Sequence, residues 1–175
     1  IFTISTVHII AFILLIAFST YIYLKANKDR LLYSFLGVQG AFLIWILAKI
    51  LKTVSPEFGL RWFFVVFQYF GICVLQVAFI QFAYHYYKGK PLPKWFSRVA
   101  IILASCQFIF IATNEYHHLF YSRFDFDGDD FGKFFYFHVV IMYSFILSGI
   151  FMVGKKFRKD FYHNKRFKRE SNQNN

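Results

Sequence analysis

Five long apolar stretches, separated by short polar connections, dominate the chain. Each holds about the 20 residues that a helix rising about 1.5 Å per residue needs to cross a hydrocarbon core of about 30 Å. Inside the stretches apolar and polar residues do not alternate, as they would in the strands of a membrane barrel. The pattern predicts five transmembrane helices, at residues 2–24, 31–51, 62–87, 97–115 and 133–154.

Composition supports this prediction. Apolar residue types make up 58% of the 175 residues and charged types 17%, which is more apolar surface than a soluble domain of this length can bury. Many of the 27 phenylalanines and 12 tyrosines lie near the ends of the stretches, where aromatic rings favour the membrane interface. We predict an all-α, polytopic transmembrane helix bundle that forms one membrane domain over residues 1–154.

The basic residues lie mostly on one side of the predicted membrane. Fifteen of the 20 lysines and arginines fall within 25–30, 88–98 and 155–169, after the first, third and fifth helices. Because basic loops stay cytoplasmic, the N-terminus should lie outside and the C-terminus inside the cell membrane. We therefore read the net charge of +11 as a topology signal and exclude nucleic acid as a partner.

The ends of the chain carry further expectations. The chain begins at Ile1 without a preceding basic region or cleavage pattern, so we expect the first stretch to be a retained helix and the true start to lie upstream. Residues 155–175 are polar and basic, and we interpret them as a cytoplasmic tail or the start of a linker. Cys73 and Cys106 lie in apolar stretches and should behave as small apolar residues.

Histidines gather at the predicted outer end. Three helices bring four of the six to the outer third of the bundle: His8, His117, His118 and His138. Three interpretations stay open. In the first, these histidines lie there because histidine favours the interface between membrane and water. In the second, an outward polar pocket forms where Asn114 and Glu115 meet His117 and His138. The third is paired histidines holding a metal or haem in a small electron carrier.

The remaining polar residues give weaker signals. The acidic stretch 124–130 does not fit a calcium loop counted from Asp125, because Asp130 occupies the glycine position and Tyr136 the glutamate position. A solvated acidic turn is the preferred interpretation, and loose divalent-ion binding the alternative. Buried amides such as Gln107 are expected to bond between helices. No motif of a known catalytic site occurs, so we predict no enzyme activity, metal or cofactor for this chain.

Several segments together resemble a known family. They are Trp45, SPE at 55–57, FQYFGICVLQVAFIQFAYHYYKGK at 67–90, TNEYHHLFYSRF at 113–124 and FGKFFYFHVVIMYSFILSGIFMV at 131–153. The chain resembles the N-terminal seven-helix membrane region of bacterial sensor histidine kinases over nearly its whole length. It departs from that pattern at residues 75–77, where a proline is expected. It also ends after the fifth helix, as a fragment or a short sensor would.

The resemblance implies a membrane sensory input module of a two-component receptor. It implies Asn114, His117 and His118 as ligand-pocket or helix-capping residues, with His138, Trp45 and Gln68 as supporting members. In the alternative interpretation, Asn114 and His117 merely tie the loop to the helix end. The expected partners are the lipid bilayer, an extracellular or membrane-borne stimulus, a cytoplasmic kinase or diguanylate cyclase output domain, and a second copy in a homodimer. The alternatives are a haem protein and an orphan structural membrane protein.

Overall fold

The computed structural model describes residues 2–126 and 128–173, and the side chains within 6–126 and 128–163. The elements follow one another as α1 Phe2–Lys25, α2 Arg30–Val54, α3 Phe58–Lys88, α4 Lys94–Ala112, the short α5 Asn114–His117, β1 Tyr121–Phe124, β2 Asp129–Phe131 and α6 Lys133–Gln173.

Five helices of the described chain are long and apolar enough to cross a membrane: α1, α2, α3, α4 and α6. They coincide with the five predicted stretches, and the prediction of a mostly helical multi-pass bundle is confirmed. One small departure from an all-α fold is the antiparallel β1–β2 hairpin between α5 and α6. It occupies the connection that we interpreted as an acidic turn.

Local sequence explains where the helices begin and end. The Asp29 carboxylate accepts a hydrogen bond from the Leu32 amide at 2.8 Å, which caps the first turn of α2. Gly89 ends α3 in the left-handed conformation, and its N–H donates to the His85 carbonyl at 2.8 Å. Pro91 and Pro93 follow directly, so α3 cannot continue. These short connections make neighbouring helices antiparallel.

The last helix is longer than its apolar stretch. We placed the end of the fifth span at Gly154, whereas α6 continues to Gln173. Lysine, arginine, glutamate and glutamine are good helix formers, and a single internal glycine costs only about 1 kcal/mol. The polar segment therefore extends the helix beyond the apolar stretch. Asp127, Asn174 and Asn175 fall outside the described residues.

The third helix is the centre of the bundle. It packs against α2, α4 and α6, while α1 packs mainly against α2. Two glycines allow close approach: Gly71 lies against the backbone of Trp45 on α2, and Gly149 of α6 lies against the Phe79 ring. Many other apolar side chains on the long helices are exposed, as lipid-facing surface should be.

The tightest core lies at one end of the bundle. Its buried cluster joins α3, the end of α4 and the hairpin region: Val65, Tyr69, Ile111, Phe120 and Tyr121. We call this end, with the α2–α3 connection and the hairpin, the hairpin end. The basic residues of 88–98 and 155–163 lie at the other end. Packing at the hairpin end therefore sets the positions of three helices relative to the hairpin.

Replacing Gly71 with alanine should weaken the contact between α2 and α3. The added Cβ would lie 2.9 Å from the Trp45 backbone nitrogen, so one helix must shift. We expect a loss of about 1–3 kcal/mol in unfolding free energy, measured by denaturant titration in detergent. Gly40→Ala is the matched control, because no atom lies within 4 Å of its added Cβ. Equal stability of the two variants would refute the close approach.

Candidate functional site

Asn114 joins α5 to the backbone at the start of the hairpin. Its side chain is 4% exposed, and its Oδ1 accepts hydrogen bonds from the backbone N–H groups of Phe120 at 2.9 Å and Tyr121 at 3.0 Å. Its Nδ2 donates to the Tyr121 carbonyl at 3.1 Å. One amide thus satisfies three backbone groups at the entry to β1, which buried polar groups require. Asparagine suits this position because it both accepts and donates.

His117 makes a second tie between the same segments. Its Nε2–H donates to the Phe110 carbonyl at 2.9 Å, while its Nδ1 accepts from the Leu119 N–H at 3.0 Å. The two partners fix one neutral tautomer, because a carbonyl can only accept and an amide N–H can only donate. The ring also lies 4.2 Å from the Phe110 ring, between centroids. His117 therefore joins the end of α4 to the turn after α5.

The exit of the hairpin is bonded back to its entry. The Gly132 N–H donates to the Phe120 carbonyl at 2.8 Å, and the Phe134 N–H donates to the Leu119 carbonyl at 2.9 Å. Gly132 lies so close to the Leu119 carbonyl that a Cβ would collide with it. Glycine is required there for backbone approach rather than for unusual dihedral angles. The start of α6 is consequently fixed to the end of α5.

Two buried polar contacts continue from the hairpin into the bundle. The hydroxyl groups of Tyr121 and Tyr69 lie 3.0 Å apart. Burial, followed by the interaction with Tyr69, raises the pKa of the Tyr121 hydroxyl, so this group stays protonated and available as a donor. Next to them, His138 Nδ1–H donates to Gln107 Oε1 at 2.7 Å and joins α6 to α4. The expected role of Gln107 in bonding between helices is confirmed.

Charged residues fasten the hairpin from the other side. Lys52 near the end of α2 pairs with Asp129 at 3.1 Å, with both side chains mostly buried. The Arg61 guanidinium lies 4.6 Å from the centroid of the Phe126 ring. Such contacts contribute more when they are partly desolvated than when they are exposed. The hairpin is thus held by α2, α3, α4 and α6 together.

A small pocket opens between the hairpin, α5 and the start of α3. Its cavity volume is about 290 Å³, near the lower end of the range for small-molecule sites. Its aromatic walls are formed by Phe58, Trp62, Tyr121 and Phe124. Its polar side is formed by Asn114, Glu115, His118, Ser122 and Arg123. The pocket can therefore contact a small molecule through both ring faces and charged groups.

A larger groove of about 560 Å³ runs between α3 and α4. Its lining is apolar apart from Cys73, Gln81 and Ser105, and Gln81 already donates to Ser97 at 3.0 Å. Within a span, such a surface is accessible to lipid chains and offers little that distinguishes one apolar molecule from another. It lacks the charged groups that line the pocket at the hairpin end.

The structure divides the predicted site residues into two groups. Asn114 and His118 line the pocket, together with Glu115. His117 and His138 do not line it, since their rings face Phe110 and Tyr69 in the packed region. The predicted convergence of Asn114, Glu115, His117 and His138 in one pocket is therefore replaced by two layers, a pocket and the ties beneath it.

The two supporting residues in the helices also lie away from the pocket. Trp45 on α2 packs near Gly71, and Gln68 lies on α3. Trp45 Nε1, Gln68 Oε1 and His138 Nε2 are buried, with no hydrogen-bond partner among the described residues. His8, on α1, is half-buried. The role of Trp45 and Gln68 as supporting members of a ligand pocket stays a prediction.

Sequence reasoning missed most of the aromatic framework. Phe120 is fully buried and contacts the rings of Tyr69, His138 and Phe135. A usable signal was present, because the run from Phe120 to Phe135 is rich in aromatics although it lies between two spans. An aromatic-rich connection indicates a loop that packs on the bundle rather than one that is merely solvated.

Comparison with known protein families identifies the family of this chain. The family model for the N-terminal 7TM region of histidine kinase matches residues 7–171. The chain belongs to this family. The resemblance expected from the sequence is thereby confirmed. No curated protein and no solved structure gave a significant match.

Membership in the histidine kinase 7TM family makes this a membrane sensory region without catalytic activity of its own. It does not favour the haem carrier that the histidines left open. Among the described residues, no group of three or more histidine, cysteine, aspartate or glutamate side chains could hold a metal ion. Both ring nitrogens of His117 are hydrogen-bonded inside the protein, which agrees with a structural role.

Replacing Asn114 with alanine should loosen the hairpin from α4. Three backbone groups would lose their partner at a buried position, and we expect a loss of about 2–3 kcal/mol in unfolding free energy. Amide hydrogen exchange at Phe120 and Tyr121 should also become faster. Asn27→Ala is the control, because Asn27 is exposed in the α1–α2 connection. Unchanged exchange at both amides would contradict the assignment.

Proposed function

We propose that this chain is the stimulus-sensing input of a histidine-kinase-type receptor, with the N-terminus and the hairpin outside the cell and the end of α6 inside. The single observation that carries the proposal is the pocket at the hairpin end, whose walls belong to the elements tied to α3, α4 and α6. Fifteen of the 20 basic residues lie at the opposite end by sequence, which supports this orientation.

Contacts between the pocket and the helices offer a route for the signal. Tyr121 lines the pocket and also contacts Tyr69 of α3, while Phe120, the next residue, contacts His138 of α6. A ligand that moves Tyr121 would therefore act on two helices through direct packing. It can bias the bundle only if its affinity differs between two arrangements of those helices.

The long sixth helix is a suitable output element. Only Gly132, whose N–H donates to the Phe120 carbonyl, separates the end of β2 from the start of α6. The helix then extends without interruption to Gln173. A shift at its start is carried along a continuous helix toward the cytoplasmic kinase domain that we propose as its partner. Ser144 and Ser148 are exposed on α6, and small residues at this spacing allow close helix approach. Homodimer formation through this face stays a prediction.

Labelling of single cysteines tests the orientation. Phe126→Cys should react with a membrane-impermeant maleimide added to intact cells, since Phe126 is exposed in the hairpin. Lys159→Cys, exposed on α6, should react only after permeabilisation. Both changes are made in a chain with Cys73 and Cys106 replaced by alanine. The reverse labelling pattern would refute the outward pocket.

A variant of His118 tests the pocket in signalling. His118 is exposed, lines the pocket and has φ of 53°, which asparagine tolerates. In a full-length kinase carrying this region, His118→Asn should change autophosphorylation in membranes by about fivefold, the lower range of allosteric coupling. Membrane insertion should be unchanged. His85→Asn, at the other end of α3, is the control.

An unchanged autophosphorylation rate in the His118→Asn receptor, with normal insertion, would exclude the pocket as the sensing site. The family membership would be unaffected by that result. An equal change in the His85→Asn receptor would indicate a general effect of replacing histidines in this membrane region, and it would also count against the pocket.

A further inference from the structure

The pocket at the hairpin end contains one acidic side chain whose charge is not neutralised within the structure. Arg123 also lines the pocket, but it pairs with Asp130 at 3.1 Å. Glu115 is exposed, and no cationic group lies within 4.0 Å of its carboxylate among the described residues. A free carboxylate beside apolar walls is available to pair with a cation from outside the protein.

Three acidic residues of the hairpin already have partners of their own. Asp129 is paired with Lys52, and Asp130 with Arg123. Asp125 Oδ1 accepts a hydrogen bond from the N–H of Phe126 at 2.6 Å. Glu115 is thus the acidic group of the pocket that is left for a ligand.

The aromatic walls of the pocket also favour a positively charged ligand. Ring faces carry negative potential and attract cations, most strongly in tryptophan. The hairpin rings already do so within the protein: Lys52 Nζ lies 5.3 Å from the Phe124 centroid, and the Arg61 guanidinium lies 4.6 Å from that of Phe126. Trp62 and Tyr121 also line the pocket, beside Glu115.

The charge of this end as a whole agrees with a cationic ligand. By sequence, six acidic residues and five basic residues belong to the hairpin end, whereas the chain carries a net charge of +11. The hairpin end is therefore the part of the protein whose own charge does not repel a cation.

We propose that the pocket binds a small protonated amine with an apolar body, whose ammonium group pairs with Glu115 while its apolar part lies against the aromatic walls. The inference rests on the proposed function, because it names the class of stimulus for the same pocket. A volume of about 290 Å³ admits an aromatic amine or an amino-acid-sized molecule rather than a peptide.

Three probes of similar shape but different charge distinguish the contribution of ligand charge from that of ligand shape. They are 2-phenylethylamine, which is a cation at neutral pH, 2-phenylethanol, which is neutral, and phenylacetate, which is an anion. Each is titrated into the purified chain in phosphatidylcholine nanodiscs, and binding is followed by tryptophan fluorescence, since Trp62 lines the pocket. Empty nanodiscs correct for partitioning into lipid.

The amine should bind at least about tenfold more tightly than the other two probes. Glu115→Gln should weaken amine binding about tenfold, since it removes the charge while keeping the size of the side chain. Glu57→Gln is the matched control: Glu57 is exposed at the same end but does not line the pocket, so binding should be retained. Circular dichroism confirms that both variants are folded.

Three results would overturn the inference: equal binding of the neutral probe, preference for phenylacetate, or amine binding that survives Glu115→Gln. Absence of binding by all three probes would overturn it as well. The proposed function is tested separately. If His118→Asn alters signalling while no amine binds, the sensing pocket stands and the ligand class is wrong. If Phe126→Cys labels from the cytosolic side, the outward pocket fails whatever binds.

Discussion

The arrangement of the hairpin end depends on one buried amide. Asn114 satisfies three backbone groups of Phe120 and Tyr121 at a position that is 4% exposed. Backbone groups that are buried without a partner are costly, and the amide removes that cost. Once they are satisfied, Phe120 can turn inward and fill the space between α3, α4 and α6. The pocket, the aromatic core and the start of α6 all follow from that turn.

The described bundle concentrates its specific contacts at this end. Elsewhere, the long helices meet mainly through small residues and expose apolar side chains, which lipid accommodates without strong preference for one helix orientation. Near the hairpin, by contrast, tyrosine hydroxyls, a histidine–glutamine pair and an ion pair join different elements. In the proposed sensor, the hairpin end is therefore the place where one helix arrangement can be selected over another.

The sequence was sufficient for the five spans because hydrocarbon thickness and backbone hydrogen bonding leave few alternatives. It was insufficient for the site because apolar helices do not reveal which face meets a neighbour. Gln107 and His138 lie 31 positions apart, and neither pattern nor spacing shows that they bond. His117 and His118 were predicted together. The left-handed backbone at His118, with φ of 53°, gives them different surroundings, so one ties the backbone and the other lines the pocket.

In the sensor that we propose, this division into ties and pocket determines how a stimulus can act. A residue such as His117, whose two ring nitrogens both bond to the backbone, has no polar group left with which to choose a ligand. Glu115 and His118 are exposed, and their side chains can change partners without unfolding the hairpin. Beneath them, Tyr121 belongs to both layers, since it lines the pocket and bonds to Tyr69. In the proposed sensor, specificity and transmission are therefore carried by different residues, and Tyr121 is where the two meet.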